Sequence, residues 1–271
     1  KFFRIVRIQA DILERESLQS AMVDRDLVIH LAALDAAVPA TEQAFFETNV
    51  QGTWNVLEAA EKTGVQRAVL CSSVAALGIG DDTLPDYLPI DESHPCRPQQ
   101  AYGLSKQVAE TVGRCFARRG RIEVVCLRPA FVVFPELVIA TAQALAIQDG
   151  VEWSRDLPQE NHALNEPLTA TRSYIAPEDA ADCFVATAKA SLSSSWQLYF
   201  AIAPWTMSHL PTLEKAQAMG IPASAVRDPG RYRALPNASM FSVALAEREL
   251  CWRARLPFES LLGAALKGYN A

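Results

Sequence analysis

The run DLVIHLA, residues 26–32, decides how this chain is read. It is short, almost continuously apolar and rich in branched side chains, the pattern of a strand covered on both faces rather than one face. Two more runs of the same kind follow, RAVLCS at residues 67–72 and IEVVCLR at 122–128. Between them lie amphipathic stretches long enough for helices, Thr41 to Thr63 and Gln100 to Arg119. Ahead of them, Ile5 to Ala10 reads as a strand and Glu16 to Val23 as a helix. Strands that alternate with helices build βαβ units, so the expected fold is α/β, a doubly wound parallel sheet.

Beyond Pro129 the alternation weakens. Pro135 to Gly150 reads as helical and 151–172 as a polar loop. Pro177 to Ala190 reads as a helix, with Pro177 in its first turn and the acidic Glu178 and Asp179 behind it. Trp196 to Ala203 is a strand, and helices follow near 208–219, 242–250 and 258–267. The domain reading is residues 1–133 with 173–203 as the sheet domain, and 134–172 with 204–271 as a smaller lobe.

Composition narrows the function. The 271 residues carry 25 basic and 31 acidic side chains, a net charge of −6, which is no footprint for nucleic acid or an anionic membrane surface. The longest apolar stretch, Phe131 to Ile147, is broken by Pro135, Glu136 and Gln143 and is too short to span a bilayer. The cysteines at 71, 96, 115, 126, 183 and 251 are scattered, with no spacing that would hold a metal. A soluble cytoplasmic protein without a metal is expected.

The sharpest local signal is Tyr102-Gly-Leu-Ser-Lys106. On a helix, residues four apart share a face. A tyrosine is a poor base at neutral pH, and a nearby ammonium favours its phenolate, so the pair makes an acid/base device for a hydroxyl proton. About thirty residues upstream, Cys71-Ser72-Ser73 closes a buried strand, where open α/β sheets bind their ligands. Ser73 there either orients a substrate oxygen or caps its own turn.

These segments, taken in order, resemble the extended short-chain dehydrogenase/reductase family, the NAD-dependent epimerase/dehydratase group. The resemblance is carried by Gln9-Ala-Asp11-Ile12, Val28-Ile-His-Leu-Ala-Ala33, Glu47-Thr-Asn-Val-Gln-Gly-Thr53, Cys71-Ser-Ser73, Tyr102 to Lys106, Leu127-Arg-Pro129, Tyr174-Ile-Ala-Pro-Glu-Asp179 and Glu247-Arg-Glu-Leu-Cys-Trp252. It implies a Rossmann-like domain that binds NAD or NADP, with NAD favoured. It implies Tyr102 as general acid/base, Lys106 as its ribose-binding partner and Ser73 as substrate-orienting hydroxyl. It further implies Asp11 and Ile12 beside the adenine, and Leu31, Ala32 and Ala33 beneath the ribose and pyrophosphate. Thr48 would touch the cofactor, Asn49 would brace the active-site helix, and Pro129 and Ala130 would border the nicotinamide.

The chain also departs from the family pattern. The Gly-rich dinucleotide loop is absent; Gly78-Ile-Gly80 follows the wrong strand. The resemblance therefore implies that about 35–45 residues of a first βαβ unit precede Lys1. Phe131 stands where an Asn often binds a nucleotide diphosphate, Phe134 replaces a Gly, and Ser242 replaces an Asp. Val74-Ala75 after Ser73 lacks the acidic pair of the dehydratase branch. Val74, Phe131, His94 and Arg231 are the candidate substrate contacts. His94 lies in the acidic, Pro-rich segment Gly80 to Pro98, which is expected to shape substrate access, and Arg231 with Arg233 could meet an anion.

The function expected is oxidoreduction of a secondary alcohol or ketone on a sugar or sugar derivative. A nucleotide-sugar epimerase that keeps its NAD is the alternative within the family, and a non-catalytic NAD(P)-binding regulator is the alternative outside it. The partners expected are a small-molecule substrate and a second copy of the chain. A homodimer would pair the helices at 41–63 and 100–119, whose outer faces are expected to include Phe45, Phe46, Trp54 and Phe116.

Overall fold

Burial on both faces of every apolar run requires helices above and below a sheet, and the computed structural model has that arrangement. It describes residues 6–80, 83–152 and 170–269. The main sheet contains β1 (Leu27–His30), β2 (Arg67–Cys71), β3 (Glu123–Pro129) and β6 (Trp196–Ala201), in the order β1-β2-β3-β6 with every pairing parallel. Two short strands, β4 (Phe131–Val132) and β5 (Tyr174–Ile175), pair in parallel apart from it. The sequence did not suggest either of them, because two residues carry no period.

The period of two along each strand sorts the core. Ala68, Leu70, Val124 and Cys126 face one side, where they meet α1 (Arg15–Met22), α3 (Gly52–Thr63) and α4 (Ala101–Arg118) through Leu18, Leu57, Ala60 and Phe116. Val69, Val125 and Leu127 face the other side, against α5 (Val138–Asp149), α6 (Pro177–Lys189), α9 (Ala244–Leu250) and α10 (Phe258–Tyr269). The chain between Thr41 and Thr63 is helical throughout, but in three pieces: α2 (Glu42–Phe45), a π-helical turn over Phe46–Gln51, and α3. Thr41 caps the start by accepting from the Ala44 amide, and Gly64 ends α3 at φ 81°, a backbone conformation that favours glycine.

A third cluster gathers the smaller lobe, formed by α7 (Thr212–Ala218), α8 (Pro229–Ala234) and the irregular chain around them. Leu88 and Ile90, both fully buried, enter it from the segment before Tyr102. That segment is not a free loop over the sheet. The Leu88 amide donates to Ala225 O and the Ile90 amide to Met240 O, and the Arg227 and Ser242 amides donate back to Leu88 O and Ile90 O.

Three expectations are corrected here. Val6 to Ala10 form no strand; they are exposed and have no neighbouring strand among the described residues to take their hydrogen bonds, and Ile5 lies outside those residues. The helix expected at 208–219 starts only at Thr212, after Pro211. Of the four aromatics expected on outer helix faces, Phe45 and Phe116 are buried and Trp54 stacks edge-on against Phe116, while Phe46 is exposed. Most of the polar loop expected at 151–172, from 153 to 169, lies outside the described residues.

Candidate active site

The site forms where β1 and β2 end and α4 begins. Ser73 leaves β2 in extended conformation and caps a short 3-10 turn, Val74–Leu77, by accepting from the Ala75 amide at 3.1 Å. Helix α4 packs directly on that turn. A Cβ on Gly103 would fall 2.5 Å from Ala75 O, so the residue after Tyr102 must be small for the helix to come this close. The approach sets Tyr102 beside the turn that Ser73 caps, and the Ser73 hydroxyl favours the phenolate. Ser73 is thus both a turn cap and a neighbour of the phenol.

Lys106 lies one turn along α4 and is buried, with its ammonium 5.7 Å from the Tyr102 ring centroid. It donates to Cys71 O at 3.0 Å. Burial lowers its pKa, opposed by neighbouring Cys71 and Asp35. The phenol does not show the depressed pKa that a Tyr/Lys pair suggests. Burial and the Asp35 carboxylate push Tyr102 upward, against the opposing hydrogen bond from Ser73, so in this arrangement the phenol holds its proton.

Asn49 joins three elements. Its side-chain oxygen accepts from the Leu34 amide at 2.7 Å, and its amide donates to Leu34 O and to Ser105 Oγ, each at 3.0 Å. Ser105 in turn donates to Tyr102 O. The turn after β1 is therefore tied to the helix that carries Tyr102. Behind Lys106 is a small cavity lined by His30, Thr53, Ser72, Glu110, Ala32 and Ala33, among others. His30 bonds to Thr53 Oγ1 at 3.1 Å, and burial with Lys106 nearby lowers its pKa to about 4, which keeps it neutral. Glu110 accepts from Ser72 Oγ at 2.6 Å and takes both Nε and Nη2 of Arg128 at 2.7 Å, a buried bidentate ion pair.

The structure thus gathers Ser73, Tyr102, Lys106, Asn49, Ala32 and Ala33 in one place. Leu31 is exposed beside them, and Thr48 sits half-buried in the π-helical turn. Asp11 and Ile12 stand apart, at the entry to α1. Asp11 accepts from the Leu13 amide, and Asn55 of α3 donates to Ile12 O. Pro129 ends β3, and Ala130 is buried toward the lobe.

Of the candidate substrate contacts, Val74 is the half-buried first residue of the Ser73 turn. Phe131 packs against the core from β4. His94 is buried, with Nε2 facing the Asp86 amide at 2.9 Å and Nδ1 facing Pro95 O at 2.9 Å, so its ring braces its own segment. Arg231 donates to Phe241 O at 3.0 Å and to Ser239 O at 3.4 Å, and so is bound into the lobe.

Sequence reasoning missed Asp35, His30 and Glu110. For Glu110 a signal was present, since Tyr102, Lys106 and Glu110 repeat every four residues along one helix face. For Asp35 there was none.

The family description "NAD dependent epimerase/dehydratase family" matches residues 3–195. The chain belongs to that family. It is 35% identical over 126 residues to the L-arabinose 1-dehydrogenase (NAD(P)(+)) of Haloferax volcanii, covering 44% of this chain and 49% of that protein. It is also 35% identical over 128 residues to the N-acetyl-alpha-D-glucosaminyl-diphospho-ditrans,octacis-undecaprenol 4-epimerase of Escherichia coli O157:H7, covering 46% of this chain and 37% of that one. These matches span half or less of the curated relatives. Among solved structures, a short-chain dehydrogenase/reductase superfamily protein from Agrobacterium tumefaciens with bound NAD superposes with a TM-score of 0.69 at 21% identity, covering 97% of this chain and 85% of that one. That likeness shows the Rossmann-like fold. Among the described residues no helix is long and apolar enough to cross a membrane, and no group of His, Cys, Asp and Glu could hold a metal ion.

The residues at the β1 and β2 ends fit one end of a nicotinamide cofactor. Lys106 and Tyr102 present hydrogen-bonding groups suited to a ribose diol, and the small side chains of Ala32 and Ala33 leave the floor open beside them. The sequence contains no Gly-rich loop after a strand to cradle the pyrophosphate.

Proposed function

We propose that the chain carries the catalytic side of an NAD(P)-dependent oxidoreductase acting on a secondary alcohol or ketone of a sugar or sugar derivative. One observation carries the reading: at the carboxyl end of β2 the helix of Tyr102 packs directly on the turn that Ser73 caps, with the buried Lys106 ammonium one turn along, 5.7 Å from the Tyr102 ring centroid and bonded to Cys71 O. Tyr102 and Lys106 would hold the nicotinamide ribose, with Ala32 and Ala33 beneath. When bound, the nicotinamide supplies or takes up the hydride.

The remaining steps belong to the chain. In reduction, the protonated Tyr102 gives its proton to the alkoxide that develops on the substrate oxygen, and Ser73 donates a hydrogen bond to that oxygen. In oxidation the proton runs the other way, so the phenol must first ionise, which burial and Asp35 oppose. Lys106 keeps a positive charge beside the phenol in both directions.

The sugar part of the reading leans on the L-arabinose dehydrogenase and the 4-epimerase among the relatives. The epimerase also favours a second reading, in which hydride taken from a sugar carbon returns to the opposite face and the cofactor stays bound. Released nucleotide distinguishes the two. Full-length protein purified without added cofactor and then denatured yields near-stoichiometric NAD or NADP from an epimerase and little from an exchanging dehydrogenase.

The acid/base assignment is tested by Tyr102→Phe, assayed with L-arabinose, other aldoses and UDP-glucose, with NAD and with NADP. The expected loss in turnover is about 10²–10⁴-fold. Undiminished turnover in the variant refutes the assignment. Tight cofactor binding with no turnover of any substrate by the wild type points to a regulator instead.

A further inference from the structure

We propose that Ser72, held by the buried Glu110–Arg128 ion pair, is a positioning residue of this site. It fixes the stretch of main chain that carries the Ser73 hydroxyl and the carbonyl that receives Lys106. The proposal rests on the reading of Ser73, Tyr102 and Lys106 given above, in which Ser72, Glu110 and Arg128 have no part.

Helix α4 meets the end of β2 at three levels, each about one turn from the next. Gly103 lies against Ala75 of the 3-10 turn, Lys106 donates to Cys71 O at 3.0 Å, and Glu110 accepts from Ser72 Oγ at 2.6 Å. Residues three and four apart share a helix face, so one face of α4 carries all three contacts. The Ser72 amide donates to Leu127 O at 2.8 Å. Its backbone therefore belongs to the sheet while its side chain belongs to the helix. The next residue is Ser73, whose own side-chain bond, to the Ala75 amide, stays inside the turn. Ser72 ties that turn to both layers at once.

The carboxylate that receives Ser72 is itself held rigidly. Glu110 Oε1 takes Arg128 Nε and Oε2 takes Arg128 Nη2, each at 2.7 Å, so a planar fork fixes the plane of the carboxylate. Arg128 stands on β3, and its Nη2 also donates to Cys96 Sγ at 3.1 Å, which ties the fork to the segment before Tyr102. Ser72, Glu110 and Arg128 are all buried. A buried ion pair gains little stability over apolar side chains that fill the same space, because desolvation offsets the attraction. What the pair adds here is a direction. Apolar residues would pack α4 on the sheet equally well, but they would leave the Ser72 hydroxyl without this acceptor and the strand end free to shift. Transfer of a proton or a hydride depends steeply on the placement of the groups, so a small shift of residues 71–73 matters more to turnover than to stability.

Ser72→Ala is the discriminating variant, because it removes one hydroxyl and leaves both Arg128 bonds to Glu110 in place, so the ion pair is not broken. Two measurements on the full-length protein decide, both at a temperature where wild type and variant are fully folded. With the sugar that the wild type turns over fastest, kcat falls about tenfold in Ser72→Ala while KM stays within about twofold. An unchanged kcat overturns the proposal even where the melting temperature drops, since that is the result of a purely structural tie. The second measurement needs no substrate. The amides of Ala75, Ala76 and Gly78, which close the turn, exchange their hydrogens about tenfold faster in Ser72→Ala, while those of α10 keep their rate. Equal exchange at the turn in wild type and variant overturns the proposal as well. Turnover undiminished by Tyr102→Phe overturns the acid/base reading instead, and the exchange comparison still decides whether Ser72 holds the turn.

Discussion

Two segments leave the ends of neighbouring strands β1 and β2, and they are built in opposite ways. The turn after β1, around residues 34–37, is short and largely exposed, and one side chain, Asn49, ties it to the helix of Tyr102. The segment after β2, residues 83–98, is long and acidic, yet it is sewn into the smaller lobe at Leu88 and Ile90, stacked on itself through His94, and anchored to β6 where Glu92 accepts from the Phe200 amide at 3.1 Å. Length suggested the second as the segment that works on substrate. The ties differ from what length suggests: the long one has committed its backbone to the lobe, and the short one is joined through Asn49 and Ser105 to the helix of Tyr102. A segment's freedom to act at a site is measured by what already holds it, not by its length.

Breaking the single tie has the largest expected effect. Asn49→Ala strands the Leu34 amide and carbonyl and frees Ser105, at a cost of about 2–4 kcal/mol in stability. It also lets the turn after β1 drift from Tyr102, so turnover falls by about tenfold or more even where the chain remains folded. A variant that loses stability but keeps full kcat would mean that the turn takes no part in aligning the site.

His94→Ala probes the other segment. It removes a buried ring and leaves the Asp86 amide without its acceptor, a loss of about 2–3 kcal/mol seen as a lower denaturation midpoint. The pH profile of turnover is expected to stay where it was, because among the described residues the ring's hydrogen bonds go to its own segment and not to Tyr102. A shifted profile would return His94 to the list of substrate contacts.

The same contrast explains what could be read beforehand. The sheet was legible because its strands are continuous apolar runs, and their alternate residues, such as Ala68 and Val69, do face opposite layers. Tyr102 and Lys106 were legible because a helix converts a spacing of four into a shared face. Asp35 was not, since its position depends on Asn49, fourteen residues on and in a π-helical turn that no periodicity announces. His94 was misread for a related reason: a histidine in an acidic, Pro-rich stretch reads as surface, and its burial comes from a segment whose residues pair with chain more than a hundred positions away.

The smallest expected effect sharpens the comparison through pH. Glu92, on the long segment, has its pKa raised from the ordinary 4.5 to about 7, chiefly by burial and also by Asp91, against the amide of Phe200 and the charge of Arg128. Between those values the folded chain holds a proton that the unfolded chain has released, so stability falls as pH rises through the window. His30, at the end of β1, has its pKa lowered from 6.5 to about 4 by burial and by Lys106. There the unfolded chain binds the extra proton, and stability rises with pH over nearly the same range. The two slopes oppose each other, which leaves the wild type nearly flat as far as these two groups are concerned. Glu92→Gln keeps the acceptor for the Phe200 amide and removes the ionisation. It should therefore expose the histidine slope, a gain of about 2 kcal/mol in unfolding free energy between pH 5 and pH 7. His30→Gln should expose the reverse, a loss of similar size over the same interval. Denaturant melts of both variants at the two pH values test the pair, and parallel behaviour of wild type and variants would mean that neither side chain titrates in the direction assigned to it.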